Sequence, residues 1–157
     1  MKKEGFVPMK ILAVDYGDSR TGLAACDRTE FLASPLGIIQ EKSMAKTVEK
    51  IVYATREYDV GMVIIGLPRN MDGSEGARAE KCRTMAGLLK AIIPIPVYMW
   101  DERSTTVTAA GILGENNVYG KKRKQVLDAV AAQVILENFL AWRKNNPGAE
   151  MPEQCIV

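Results

Sequence analysis

Short, continuous apolar runs recur along the chain, and the first of them ends on a carboxylate. Residues 11–14 are all apolar, Asp15 follows them, residues 17–19 have turn chemistry, and residues 23–26 form a second apolar run. Continuous apolar runs of this length are typical of strands that are covered on both faces. The pattern predicts a hairpin with an acid at its mouth. These residues alone leave two roles open for Asp15, a turn cap that binds backbone amides or a group that does chemistry.

The remaining pattern predicts three more strands and four helices. The predicted strands are residues 34–40, 61–67 and 97–100, and the predicted helices are residues 43–58, 74–89, 105–113 and 121–140. The order of these elements predicts an α/β protein with a five-stranded mixed sheet and helices on both faces. In it, the first three strands are antiparallel neighbours, and strands 1, 4 and 5 are parallel.

Length and composition are those of an ordinary globular domain. The 157 residues are 47% apolar and 25% charged, which fits a single domain over residues 1–157. We expect its core to span about residues 10–141, with a flexible N-terminal extension and a loose tail after Asn145. No apolar run approaches the length of a membrane span, so no membrane association is expected.

The cysteines and the histidine content narrow the chemistry. Cys26, Cys82 and Cys155 are far apart and lack the paired spacing of zinc sites, so neither a disulfide framework nor a structural metal site is indicated. A reducing cytoplasm is the simplest compartment. The chain has no histidine, which excludes the imidazole sites typical of zinc enzymes.

The net charge of +2 is too small to indicate nucleic-acid binding, but one basic cluster is unusual. Residues 121–124 read Lys-Lys-Arg-Lys and open the last predicted helix. Cations at a helix N-terminus oppose the helix dipole, which favours anions there. The run is therefore either a contact for phosphates or a solvated charged surface.

Several acids are predicted to meet at one edge of the sheet. Parallel strands gather ligands at their carboxyl ends, and these ends carry Asp15, the loop of residues 68–73 and the pair Asp101 and Glu102. Asp128 lies in the last helix, where small neighbours would let it approach the sheet, although an acid near a helix N-terminus is also favourable by itself. Converging carboxylates repel one another unless cations lie between them, and oxygen ligands suit Mg2+ or Mn2+.

Four segments occur in an order that resembles a known family. They are residues 15–22 (Asp-Tyr-Gly-Asp-Ser-Arg-Thr-Gly), 66–73 (Gly-Leu-Pro-Arg-Asn-Met-Asp-Gly), 101–106 (Asp-Glu-Arg-Ser-Thr-Thr) and 128–132 (Asp-Ala-Val-Ala-Ala). Together they are similar to the YqgF family, also called RuvX, of Holliday-junction-resolvase-like pre-16S rRNA nucleases. The resemblance spans about residues 10–141. It implies a ribonuclease H-like fold and a cytoplasmic, metal-dependent nuclease that trims the 5′ end of 16S rRNA precursors.

The same resemblance assigns the site. Asp15 matches the first-strand acid and Asp128 the helix acid, whereas the fourth strand ends without the acid that RuvC-type resolvases carry there. Asp101 or Glu102 would replace it, and only one of these neighbours can face the metal because strand residues alternate between faces. Glu102 is favoured for its longer reach. The expected catalytic acids are thus Asp15, Glu102 and Asp128, with Asp101 as the alternative, and the first three are the expected metal ligands.

The expected substrate is nucleic acid, either a pre-16S rRNA or ribosomal precursor or branched DNA. The candidate contacts are Arg20, Arg69, Asn70, Arg103, Thr105, Lys121, Lys122, Arg123 and Lys124. Two other functions stay open: a Holliday-junction resolvase, which would need a homodimer rather than a monomer, and a non-catalytic RNA- or ribosome-binding factor.

Overall fold

The computed structural model describes residues 8–101 and 120–157, and the side chains of residues 8–101 and 129–157. The elements along the chain are β1 (Ile11–Asp15), β2 (Arg20–Cys26), β3 (Ala33–Gln40), α1 (Met44–Glu57), β4 (Met62–Leu67), α2 (Ala77–Ile92), β5 (Val97–Asp101), α3 (Gly120–Asn145) and a short 3-10 helix (Glu153–Cys155). The predicted N-terminal extension up to residue 7, the helix at 105–113 and most of the loop after it lie outside the described residues.

The five strands form one sheet in the order β3-β2-β1-β4-β5. β1 pairs with β2, and β2 with β3, in antiparallel fashion, whereas β1 with β4 and β4 with β5 are parallel. The predicted mixed sheet and its strand directions are confirmed. The central position of β1 follows from its apolar run, because such a strand must be covered on both faces.

The two faces of the sheet are covered by different helices. Alternate residues of β1 divide between them: Leu12 and Val14 pack in the core under α1 and α2, and Ile11 and Ala13 pack in the core under α3. All four are fully buried. The predicted placement of helices on both faces is confirmed, and side-chain parity along each strand tells which helix a residue faces.

The helix starts have local explanations. Ser43 caps α1 as predicted, because its hydroxyl accepts a hydrogen bond of 3.3 Å from the Lys46 amide. α2 begins at Ala77, three residues later than predicted. The intervening Glu75 forms a backbone bridge with Arg69, so that stretch belongs to the loop after β4.

The C-terminal tail is docked, in contrast to the loose tail expected from its prolines and glycine. Ile156 forms a backbone bridge with Tyr98 of β5, and the Cys155 side chain is buried. Lys90 of α2 donates a 2.6 Å hydrogen bond to the Val157 main-chain oxygen. The tail therefore covers the outer edge of β5, where unpaired strand groups would otherwise meet solvent.

Over the part of the chain that the structure describes, none of the helices combines the length and apolar character that crossing a bilayer would require. Cys26, Cys82 and Cys155 are all buried, and none of the three is in a disulfide in the structure.

Candidate active site

Asp15 is the last residue of β1 and is half-buried. It has the parity of Ile11 and Ala13, which lie in the core under α3, so its carboxylate is directed to the α3 face of the sheet. A partly buried carboxylate at the end of a parallel strand lies where ligands bind in open α/β sheets.

Glycines flank Asp15 on both neighbouring strands. Gly22 of β2 is its direct partner, and in the register of β1 with β4 the residue that follows the partner of Val14 is Gly66. Paired residues point to the same face, with Cβ atoms about 5 Å apart. Because neither neighbour has a side chain, β2 and β4 place no side-chain atoms directly beside the Asp15 carboxylate on the α3 face. On the next strand, β5, the residue that pairs with Gly66 is Trp100.

The turn after Asp15 has one conformationally constrained position. A Cβ atom at Gly17 would collide with the backbone oxygen of Arg20, so only glycine fits there. The Gly17 amide also donates a 3.4 Å hydrogen bond to the hydroxyl of Thr21, which is fully buried. The chain therefore reverses tightly within a few residues of the carboxylate.

Helix α2 holds the same turn from the opposite face. Arg78 donates a 2.9 Å hydrogen bond to the carbonyl oxygen of Tyr16, and Lys81 forms an exposed 3.1 Å ion pair with Asp18. Burial, followed by the nearby Asp18 charge, raises the pKa of Tyr16, so this side chain is neutral near pH 7. The residue next to Asp15 is thus fixed by a contact that is distant in sequence.

The loop after β4 is compact and internally hydrogen-bonded. The Asn70 amide donates to the Ser74 carbonyl at 2.8 Å, and the Asn70 side-chain amide donates to the Ser74 hydroxyl at 2.9 Å. Asp72 accepts a hydrogen bond of 2.8 Å from the Ser74 amide, and Gly73 has a φ of 88°. Asn70 lies on the exposed surface of this loop.

Asp101 lies on the other face of the sheet. It has the parity of Val97 and Met99, which pack under α1 and α2, whereas Trp100 packs on the α3 side. Its carboxylate is 3.6 Å from the Arg69 guanidinium. Asp101 and Asp15 therefore end neighbouring parts of the sheet edge but are directed to opposite faces.

The other predicted residues divide into two groups. Arg20 begins β2 and has the parity of Gly22, so it shares the face of Asp15. The remaining predicted residues lie outside the described side chains: Glu102, Arg103, Thr105, Lys121, Lys122, Arg123, Lys124 and Asp128. The backbone of α3 does begin at Gly120, next to the predicted start.

No group of three or more acidic, cysteine or histidine side chains that could hold a metal occurs among the residues whose side chains are described. Two of the three expected ligands, Glu102 and Asp128, are outside that set.

Sequence reasoning missed two features of this region. The first is the placement of Gly22 and Gly66 on either side of Asp15. A glycine inside an apolar strand run can indicate such a close approach. The second is the hydrogen bond from Arg78 of α2 to the Tyr16 carbonyl, which no local pattern reveals because it joins residues distant in sequence.

The sheet and the helices that cover it have a fold that solved resolvases share. The chain is similar to RuvC of T. thermophilus, solved in complex with a Holliday junction substrate, with a TM-score of 0.57 and 14% identity over 88% of this chain and 98% of that one. It is also similar to the fowlpox virus Holliday junction resolvase, with a TM-score of 0.53 and 14% identity over 85% and 99% of the two chains. These likenesses confirm the predicted ribonuclease H-like fold.

The family follows from sequence comparison. The model of the RuvX family, described as Holliday junction resolvase, matches residues 9–142. A relative from Pelotomaculum thermopropionicum is 40% identical over 154 residues, covering 92% of this chain and all of the relative. Another from Halothermothrix orenii is 41% identical over 140 residues, covering 89% and 100%. Both are named "Putative pre-16S rRNA nuclease". This chain belongs to the RuvX family, as its four segments predict.

Proposed function

We propose that this chain is a metal-dependent nuclease that hydrolyses phosphodiester bonds in the 5′-end processing of pre-16S rRNA during ribosome biogenesis. The observation that carries the proposal is the placement of Asp15 at the end of β1, between two glycines on the α3 face. Membership of the RuvX family and the names of the relatives support the same activity.

The residues fit a hard divalent ion. Asp15 supplies a carboxylate on the α3 face of the sheet, and in the sequence Glu102 comes two residues after Trp100, which packs on that face. Asp15, Glu102 and Asp128 would hold Mg2+ or Mn2+ through oxygen atoms, the ligands that these ions prefer. When bound, such ions activate a water molecule and stabilise the leaving oxygen of a phosphodiester.

The anchoring of α3 supports the role of Asp128. Arg143, near the end of α3, contacts both oxygens of Glu30 at 2.8 and 2.9 Å, and Glu30 also accepts from the Met9 amide just before β1. The end of α3 is therefore fixed near the start of β1, and its first turns extend toward the end of the sheet that carries Asp15. Asp128 precedes Ala132 by four residues, and Ala132 is buried against the sheet.

Substrate binding is assigned by charge and position. Arg20 shares the face of Asp15, and the basic run of residues 121–124 opens α3, the helix that covers this face. Both could contact backbone phosphates, which position a nucleic acid without reading its sequence. Asn70, Arg103 and Thr105 remain candidate contacts in the adjoining loops.

Arg69 has a different environment from the other candidate cations. It lies near two carboxylates, those of Glu75 and Asp101. Its charge is already compensated there, so we give it a structural task ahead of a phosphate contact. A cytoplasmic location is part of the proposal, because three buried cysteines that form no disulfide suit a reducing compartment.

The decisive experiment compares wild type with Asp15→Asn on folded precursor RNA, junction DNA and single strands, each with Mg2+ or Mn2+. We expect Asp15→Asn to lose metal-dependent cleavage of precursor RNA and to keep the wild-type melting temperature, because the isostere removes a ligand charge and little packing. Asp18→Asn is the matched control, since it changes an exposed acid in the same turn. Cleavage by Asp15→Asn at the wild-type rate would leave Asp15 as a turn cap and refute the proposed site.

A second candidate is a Holliday-junction resolvase, which the description of the matching family favours. Such an enzyme needs two sites related by a twofold axis. Preferential cleavage of junction DNA, together with a dimeric mass by light scattering, would replace rRNA processing with this function.

A further inference from the structure

Four charged side chains form a continuous series near the end of β5, which we call the ion chain: Arg83, Glu75, Arg69 and Asp101. Arg83 donates to the two oxygens of Glu75 at 2.6 and 2.7 Å. Arg69 lies 3.8 Å from Glu75 and 3.6 Å from Asp101. The charges alternate in sign along the series, so each inner group has an opposite charge on both sides.

The ion chain connects three elements. Arg83 lies in α2, Glu75 and Arg69 lie in the loop after β4, and Asp101 is the last residue of β5. Arg83 also donates a 3.3 Å hydrogen bond to the Gln154 carbonyl of the docked tail. The four side chains are between 20% and 35% exposed, so solvent screens them less than it screens fully exposed pairs.

The two ends of the ion chain differ in strength. The two parallel hydrogen bonds between Arg83 and Glu75 form a bidentate pair, which is the strongest geometry for these groups. Arg69, in contrast, contacts its carboxylates only at ion-pair distances, and its Nε atom has no hydrogen-bond partner among the described residues. Arg69 therefore links Asp101 to a Glu75 that Arg83 holds in place.

We propose that Glu75 and Arg83 are positioning residues that act through Arg69 to fix Asp101 and the end of β5, directly before Glu102 in the sequence. This inference rests on the proposed function, in which Glu102 holds the metal directly after Asp101. Neither Glu75 nor Arg83 touches substrate or metal. A shift at Asp101 would displace the next residue, and small displacements of a ligand are costly.

The test uses the full chain with Arg83→Gln, Glu75→Gln and the double variant. We expect each single variant to lower kcat by roughly 10- to 100-fold, the usual cost of losing a group that orients a ligand, and to leave KM unchanged. The kcat of the double variant should fall no further than that of Glu75→Gln, because Glu75→Gln already breaks the contact that Arg83→Gln removes. Arg83→Lys keeps the positive charge but cannot form the two parallel hydrogen bonds. Its kcat should therefore lie between those of Arg83→Gln and wild type.

A second measurement is independent of activity. Amide hydrogen exchange of a peptide covering Val97–Asp101 should be faster in Arg83→Gln than in wild type, because the end of β5 loses its anchor. Arg28→Gln is the matched control: it breaks an ion pair of 3.9 Å with Asp59 in which both side chains are more than 80% exposed. It should change neither kcat nor the exchange of that peptide.

The outcomes separate the inference from the function on which it rests. If wild type cleaves no substrate, the proposed function fails, and the exchange of Val97–Asp101 alone decides whether the ion chain holds β5. If wild type cleaves and Arg83→Gln retains its kcat and its exchange rate, the positioning role is overturned. A raised KM with unchanged kcat would also overturn it, because Arg83 would then be a substrate contact.

Discussion

The ends of β1 and β5 both carry an acid, but the two acids have opposite environments. Asp15 ends β1 on the α3 face, with Gly22 and Gly66 beside it. Asp101 ends β5 on the face of α1 and α2, where Arg69 compensates its charge. A strand that ends on an acid therefore does not by itself indicate a ligand.

The difference shows that strand parity and cross-strand neighbours decide what an acid can do. On the α3 face the cross-strand neighbours of Asp15 are glycines, which place no side chain beside its carboxylate. On the other face the long cationic side chain of Arg69 lies 3.6 Å from the Asp101 carboxylate and provides a counter-charge. We infer that the first environment suits catalysis and the second suits support of the loop that follows β5.

The largest effect that tests this difference between the two faces is expected at Glu102, the metal ligand that we propose after β5. Glu102→Gln should abolish metal-dependent cleavage, and Asp101→Asn should lower it on the order of 10-fold, as expected for a group that only orients a ligand. Steady-state cleavage of precursor RNA across an Mg2+ titration measures both variants. The opposite ranking would place the ligand on the α2 face, and two silent variants would remove this segment from the site.

An intermediate effect is expected from filling the space beside Asp15. Gly66→Val places a branched side chain on the α3 face next to the carboxylate and should lower kcat about 100-fold, in line with the cost of a displacement of about 1 Å. Gly66→Ala should lose less. Ile65→Val, at the preceding residue and in the core of the other face, is the control and should affect stability more than kcat. A folded Gly66→Val enzyme with wild-type kcat would show that the site does not need this space.

Much of this arrangement follows from local sequence. The apolar run before Asp15 predicts a central strand, and the spacing after Ser43 predicts α1 with its cap, because both depend on near neighbours along the chain. The direction of each strand then follows from the order of the elements.

The remaining features depend on contacts that the sequence pattern does not contain. Helix α2 starts at Ala77, later than predicted, because Glu75 forms a backbone bridge with Arg69 in the loop. The tail is docked because Ile156 forms a bridge with β5 and the Cys155 side chain is buried. Charged residues give no periodic signal that could indicate their partners. The face of Asp101 becomes clear only when the cores on both sides of the sheet are known.

The smallest expected effect concerns the stability of the ion chain in acid. The pKa of Glu75 is lowered from its ordinary 4.5, and the main cause is the pair of hydrogen bonds that Arg83 donates. A carboxyl whose pKa is lower in the folded state contributes stability above its unfolded pKa, and this contribution is lost as the pH falls through the folded pKa. Glu75→Gln should therefore unfold about 2–4 °C below wild type at pH 7, since a partly exposed pair contributes up to about 1 kcal/mol. This difference in melting temperature should disappear as the pH falls below 4.5.

Arg83→Gln should show the same loss of the difference in acid, because it removes the other half of the pair. A gap that stays constant from pH 7 to acid would mean that the charge of Glu75 does not stabilise the fold.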